Sequence, residues 1–112
     1  LPRLVGRGRA LEMLLMGDTV DSAQACEYGL VNQVATGGDV TSLAREWARR
    51  LVAKAPIAAR LAKEAVAKGM DLTLDQGLRL EADLYFLLHT TGDRAEGISA
   101  FLSKRPPQFK GD

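Results

Sequence analysis

Apolar residues along this chain recur at helical spacing. Leu43, Trp47 and Leu51 fall four apart, Ile57, Leu61 and Ala65 repeat that interval, and Leu74, Leu78 and Ala82 continue it with Tyr85 three further on, so each set lies on one face of a helix. Glycine and proline cut the pattern into short elements, and no two stretches look like copies of each other. Helices are expected over about 8–17, 21–28, 42–55, 56–69, 73–89 and 93–104, with residues 30–34 as an extended connector. The expectation is an all-α protein of about five to six short helices in a single domain spanning 1–112.

Local punctuation supports these boundaries. Asp21 with Gln24, Thr73 with Gln76 and Asp93 with Glu96 each have capping-box spacing, in which two side chains satisfy free N–H groups at a helix start. Thr41 or Ser42 is expected to open the helix that carries Trp47. Gly17 and Gly29 suit helix ends, Pro56 suits a first turn, and Pro106-Pro107 forbids helix beyond Arg105. The helix at 73–89 carries a second stripe, Leu80, Leu84 and Leu87, beside the Leu74/Leu78/Tyr85 stripe. A helix apolar on two sides needs cover on two sides, and in so small a chain the second cover is expected from another chain or another domain.

Composition adds limits. Fifteen basic and fourteen acidic residues leave a net charge of +1, which supplies no strong field toward nucleic acid or an anionic membrane. The basic residues are also not interleaved with aromatics, so an RNA-binding helical domain is a disfavoured alternative. No apolar run approaches the roughly 20 residues of a membrane span, and the chain start lacks signal-peptide anatomy. The lone Cys26 excludes an internal disulfide and fits a reducing compartment. A soluble intracellular protein is expected, in the cytoplasm or, as the alternative, the mitochondrial matrix.

Few side chains suggest chemistry by themselves. His89 is the only histidine and has no ligand-spaced partner, so it reads as a helix-terminal residue and no metal site is expected. Cys26 lacks an adjacent base and reads as a small packed residue. Gly6-Arg7-Gly8-Arg9 lacks the third glycine, the preceding strand and the lysine of a phosphate loop, so it reads as a loop entering a helix. Glu81 and Asp83 point to different faces, and Glu46 and Glu64 read as solvated helix charges. Lys104 and Arg105 have two readings, as cations stabilising a helix C-terminus or as an anion site.

Three segments carry a family resemblance. The run from Asp93 to Phe109, which joins a capped helix, an aromatic, the basic pair Lys104-Arg105 and a proline stop, resembles the C-terminal signature of the enoyl-CoA hydratase/isomerase (crotonase) family. Gly17-Asp18-Thr19 with Ala25 and Gly29-Leu30-Val31 resembles an internal segment of the same family. Leu1-Pro2-Arg3-Leu4-Val5-Gly6 resembles the residues that follow its glycine-rich active-site helix. The resemblance implies the C-terminal helical domain of a crotonase-type enzyme, with the spiral β/α core absent from this chain.

It further implies a part in hydrating 2-trans-enoyl-CoA in fatty-acid or related acyl-CoA metabolism. That reaction needs a base, an acid and two N–H donors for the thioester oxygen. In the family these lie upstream of the segment matching Leu1, so no catalytic residue is assigned here, no metal or cofactor is expected, and the chain alone is expected to be inactive. By the same resemblance Phe101 and Lys104 are substrate-binding residues, near the adenine and phosphate end of coenzyme A in a neighbouring subunit's pocket. The implied partners are an acyl-CoA substrate and further copies of the chain, as a trimer or hexamer. The alternatives are an enoyl-CoA isomerase, an acyl-CoA hydrolase and a ligand-free oligomerisation module.

Overall fold

The computed structural model describes residues 1–112 and is entirely helical, with seven α-helices, one 3-10 turn and no strand. Contacts group the chain into two compact units, Leu1–Arg45 and Glu46–Asp112. The division falls inside the fourth helix.

The first unit opens with a short helix that the pattern does not announce, α1 (Pro2–Val5), in which Pro2 occupies the first turn, where its missing N–H costs nothing. Gly6, at φ 82°, breaks the path before α2 (Arg7–Met16). Val5 and Ala10 are the buried apolar residues here, whereas Leu14, Leu15 and Met16 are exposed. Gly17 ends α2 in the left-handed region, its N–H reaching the Met13 carbonyl. The capping box then forms as its spacing requires: the Asp21 carboxylate accepts from the Gln24 N–H at 2.8 Å and the Gln24 side chain accepts from the Asp21 N–H at 3.1 Å. It opens α3 (Ser22–Glu27). At its end Gly29, φ 75°, allows the Leu30 N–H to reach back to Ala25 O and the Gly29 N–H to reach Cys26 O, a Schellman closure. Arg9 lies 4.4 Å above the Tyr28 ring and 3.6 Å from Glu27. Cys26 is half-buried and unbridged.

A 3-10 turn (Thr36–Gly38) leads to α4 (Val40–Val52). This helix starts earlier than Thr41 or Ser42 because Asp39 is its cap, accepting from the Ser42 N–H at 2.9 Å. The Ser42 hydrogen bonds hold the Asp39 carboxyl below the ordinary carboxylate range. The helix stops before residue 55 because the residue preceding a proline is driven out of helical conformation; Ala55 has ψ 117°.

The second unit is built on an αα-hairpin. Helix α5 (Pro56–Gly69) and α6 (Leu74–Leu88) are joined by a tight connection in which Thr73 and Gln76 form the expected capping box. A Cβ on Gly77 would sit 3.8 Å from the Gly69 carbonyl oxygen, so the two backbones approach closely there. Leu61 and Leu84 are buried, and Gly77, Leu80 and Leu88 are half-buried. The stripe of α6 covered within the chain is therefore Gly77/Leu80/Leu84/Leu88, so Leu80 and Leu84 of the second stripe find cover inside the chain, while Leu87 is 52% exposed. Leu74, Leu78, Tyr85 and Phe86 also remain exposed. An apolar groove of about 500 Å³ runs along the hairpin, with Leu61, Ala65, Met70, Leu78, Leu84 and Tyr85 among its walls. His89 terminates α6 with its ring edge-on to Tyr85 and stacked near Phe86. Helix α7 (Gly92–Leu102) follows.

Candidate functional site

The end of α7 and the tail after it contain the residues that the sequence singled out. Thr91, not Asp93, caps this helix: its hydroxyl accepts from the Arg94 N–H at 3.3 Å. The expected Asp93/Glu96 capping box does not form, because both carboxylates are engaged by the chain that follows the helix.

Asp93, 3% exposed, accepts from the Lys110 N–H at 2.6 Å and the Gly111 N–H at 2.9 Å. Glu96 takes both arms of the Arg105 guanidinium, at 2.6 and 2.7 Å, and also the Gln108 N–H at 2.8 Å. Between these anchors the Phe109 ring lies over Gly97, 3.6 Å from where a Cβ would stand. The Gly92 N–H donates to the Asp112 carbonyl at 2.8 Å. Residues 105–112 are thus strapped against α7. Pro106-Pro107 keeps the strap from re-entering helix.

Such a fork of charge-assisted bonds stabilises the ionised carboxylate. The Arg105 hydrogen bonds, followed by the Gln108 N–H, lower the Glu96 pKa to about 2. Glu96 reciprocally raises that of Arg105.

The turn joining helix to strap is unusual at one residue. Lys104 is the single non-glycine residue with positive φ, at 49°. The Arg105 N–H reaches Ala100 O at 3.0 Å and the Lys104 N–H reaches Phe101 O at 3.2 Å. This is the closure that Gly29 makes after α3, formed here by a lysine, for which the left-handed region is unfavourable. The Lys104 ammonium has no hydrogen bond or ion pair within the chain, and Phe101, one turn back, is 83% exposed. The two adjacent cations therefore differ: Arg105 is held by Glu96, Ser99 and the Pro106 carbonyl, while Lys104 is free. An exposed aromatic ring and an uncompensated ammonium three residues apart on one turn suit a planar base and an anionic group.

Sequence reasoning brought Phe101 and Lys104 forward and missed Asp93 and Glu96 as tail anchors. The available signal was the pairing of two carboxylates three apart with a proline-stiffened basic tail. Elsewhere no cluster of His, Cys, Asp and Glu could hold a metal ion, and no helix is long and apolar enough to cross a membrane.

The sequence pattern described as enoyl-CoA hydratase/isomerase matches residues 1–112 from end to end. The chain belongs to this family. It is 40% identical over 111 residues to the 2,3-dehydroadipyl-CoA hydratase of Escherichia coli, covering 99% of this chain and 44% of that protein. It is 38% identical over 109 residues to the crotonyl-CoA hydratase of Syntrophomonas wolfei, covering 97% and 42%. The crystal structure of an enoyl-CoA hydratase from Bacillus anthracis superimposes with a TM-score of 0.93 at 41% identity, over 99% of this chain and 43% of that one. The chain spans about two fifths of the length of these relatives. Its seven helices correspond to the C-terminal helical domain of crotonase-fold structures.

Proposed function

We propose that this chain serves an enoyl-CoA hydratase, adding water across the double bond of a 2-trans-enoyl-CoA in fatty-acid or related acyl-CoA metabolism. The observation that carries the proposal is the agreement of the whole chain, in sequence and in backbone, with the helical part of enzymes that bear this name. Hydration requires an acid–base pair and N–H donors to the thioester oxygen. No residue of this chain is assigned to those roles. Its proposed contribution is binding and assembly, in the cytoplasm or the mitochondrial matrix.

Phe101 would stack on the adenine and Lys104 would neutralise a phosphate at the remote end of coenzyme A, supplied to a neighbouring subunit of a trimer or hexamer. Support comes from the unpartnered Lys104 ammonium and the exposed Phe101 ring, which the same strapped turn carries three residues apart. The apolar faces of α2 and α6, with Leu14, Leu15, Leu74 and Phe86 exposed, support assembly, because each such side chain gains about 1.5 to 3 kcal/mol when fully covered.

The test is steady-state hydration of crotonyl-CoA by the full-length enzyme. Lys104→Ala should raise KM about tenfold, the size of one lost charge-assisted contact, with kcat within about twofold, because that contact is equal in ground and transition states. The 112 residues alone should show no hydration. An unchanged KM in the Lys104 variant would remove this residue from the ligand site.

A further inference from the structure

Lys104 adopts a backbone conformation that glycine adopts at lower cost, at a turn whose closing hydrogen bonds glycine makes equally well, as Gly29 demonstrates in the first unit. A strained residue persists when its surroundings over-determine it. At this position the surroundings are the strap. Glu96 grips the residue immediately after Lys104 through two parallel bonds and grips Gln108 three residues farther on. Asp93, one turn earlier on the same helix, takes the N–H groups of Lys110 and Gly111. Ser99 adds a contact to the Arg105 guanidinium at 3.4 Å. All this chemistry is directed at the chain around Lys104 and none at its ammonium, which is left without an internal partner.

We propose that Glu96 and Asp93 are positioning residues: by fixing the strap to α7 they hold Lys104 left-handed on the exposed turn that follows Phe101 before any ligand arrives. The inference rests on the coenzyme A reading above and adds to it the residues that make the subsite preformed. Their effect is on binding, because ordering a loose basic turn at the moment of binding would weaken affinity by about 3- to 10-fold.

The experiment compares Lys104→Ala, Glu96→Gln and the double variant in full-length enzyme, by crotonyl-CoA kinetics. Glu96→Gln keeps an acceptor for the Gln108 N–H but loses the charged fork to Arg105. It should raise KM about 3- to 10-fold with kcat unchanged, and it should add nothing to Lys104→Ala, because a misplaced ammonium cannot matter where none exists. Arg105→Lys, which keeps the charge but cannot donate two parallel bonds, should repeat the KM effect and serves if Glu96→Gln does not fold.

If Lys104→Ala raises KM while Glu96→Gln and Arg105→Lys do not, the positioning role is overturned and the coenzyme A reading stands. Additive effects in the double variant, or a loss confined to kcat, also overturn the positioning role. An unchanged KM in Lys104→Ala overturns the coenzyme A reading and the positioning role together.

Discussion

Replacing Asp93 by asparagine changes no volume and reverses the hydrogen-bonding sense of one side-chain atom. In the protein both carboxylate oxygens accept, from Lys110 at 2.6 Å and Gly111 at 2.9 Å, and the group is 3% exposed. Asparagine has one acceptor and one donor to offer, so one of these N–H groups loses its partner and faces an NH2 instead. A hydrogen bond to a charged group contributes about 1.5 to 3 kcal/mol, and stranding a buried donor costs about 1 to 3 kcal/mol. The surviving bond also loses its charge assistance. Together these give an expected loss of about 2 to 4 kcal/mol for keeping the strap docked.

The strap can respond by letting go, since release returns both N–H groups to water. The loss seen in global unfolding is then capped at the free energy of docking, and the remainder appears locally. Two measurements separate these outcomes. Urea unfolding should show a lowered midpoint. Hydrogen exchange should show the Lys110 and Gly111 amides accelerated by about 30-fold or more, while amides of α5 and α6 change only with global stability. Exchange at these two amides within about twofold of the unmodified protein, together with an unmoved urea midpoint, would refute the assignment of Asp93 as the anchor.

Three other perturbations follow from the same region. Glu96 titrates at about 2 in the fold against an ordinary 4.5, so its stabilisation of the strap is fully present above about pH 4.5 and is lost as pH falls through about 2; exchange at the Gln108 amide followed by NMR over that window should show release, and release near neutral pH would contradict the assignment. Lys104→Gly should stabilise the fold by about 0.5 to 1 kcal/mol by relieving the left-handed lysine, whereas Lys104→Ala should be nearly neutral because alanine meets the same restriction; thermal melts of the pair check this, and equal melting temperatures would refute it. Gly97→Ala should raise the melting temperature, since the new methyl meets Phe109 at an ordinary 3.6 Å and mid-helix alanine is favoured over glycine by about 0.5 to 1 kcal/mol; a drop would show that the Phe109 ring cannot tolerate it.

Most of the helices and their ends were legible because they are decided within a few residues. Pro56 and Gly69 bound α5 where the sequence placed it, and the boxes at Asp21/Gln24 and Thr73/Gln76 formed as spaced. The same rule failed at Asp93/Glu96. Its pattern was identical, but Thr91 took the cap, and partners 9 to 18 residues away took the carboxylates. Nothing local distinguishes a carboxylate that caps its own helix from one that receives a returning tail. Helix α1 was missed because four residues carry too little periodicity to register. On α6 the pattern showed two apolar stripes but not which one faces inward, a choice settled only by where α5 approaches at Gly69 and Gly77. Phe101 came from family likeness, which also decided between the capping and anion readings of Lys104; the left-handed turn beneath Lys104 has no signature, since a lysine there contradicts the glycine rule.

The strap also changes how α7 opens. A helix ordinarily frays from its end one residue at a time, because each terminal hydrogen bond breaks independently of those behind it. In α7 the terminal turn is bridged: Glu96, in the middle of the helix, holds Arg105, beyond its end, and the Arg105 N–H closes on Ala100. Loosening Leu102 or Ser103 therefore requires the ion-pair fork, the Schellman closure and the strap to separate together. The last turn of α7 and residues 105–112 should behave as one cooperative opening unit.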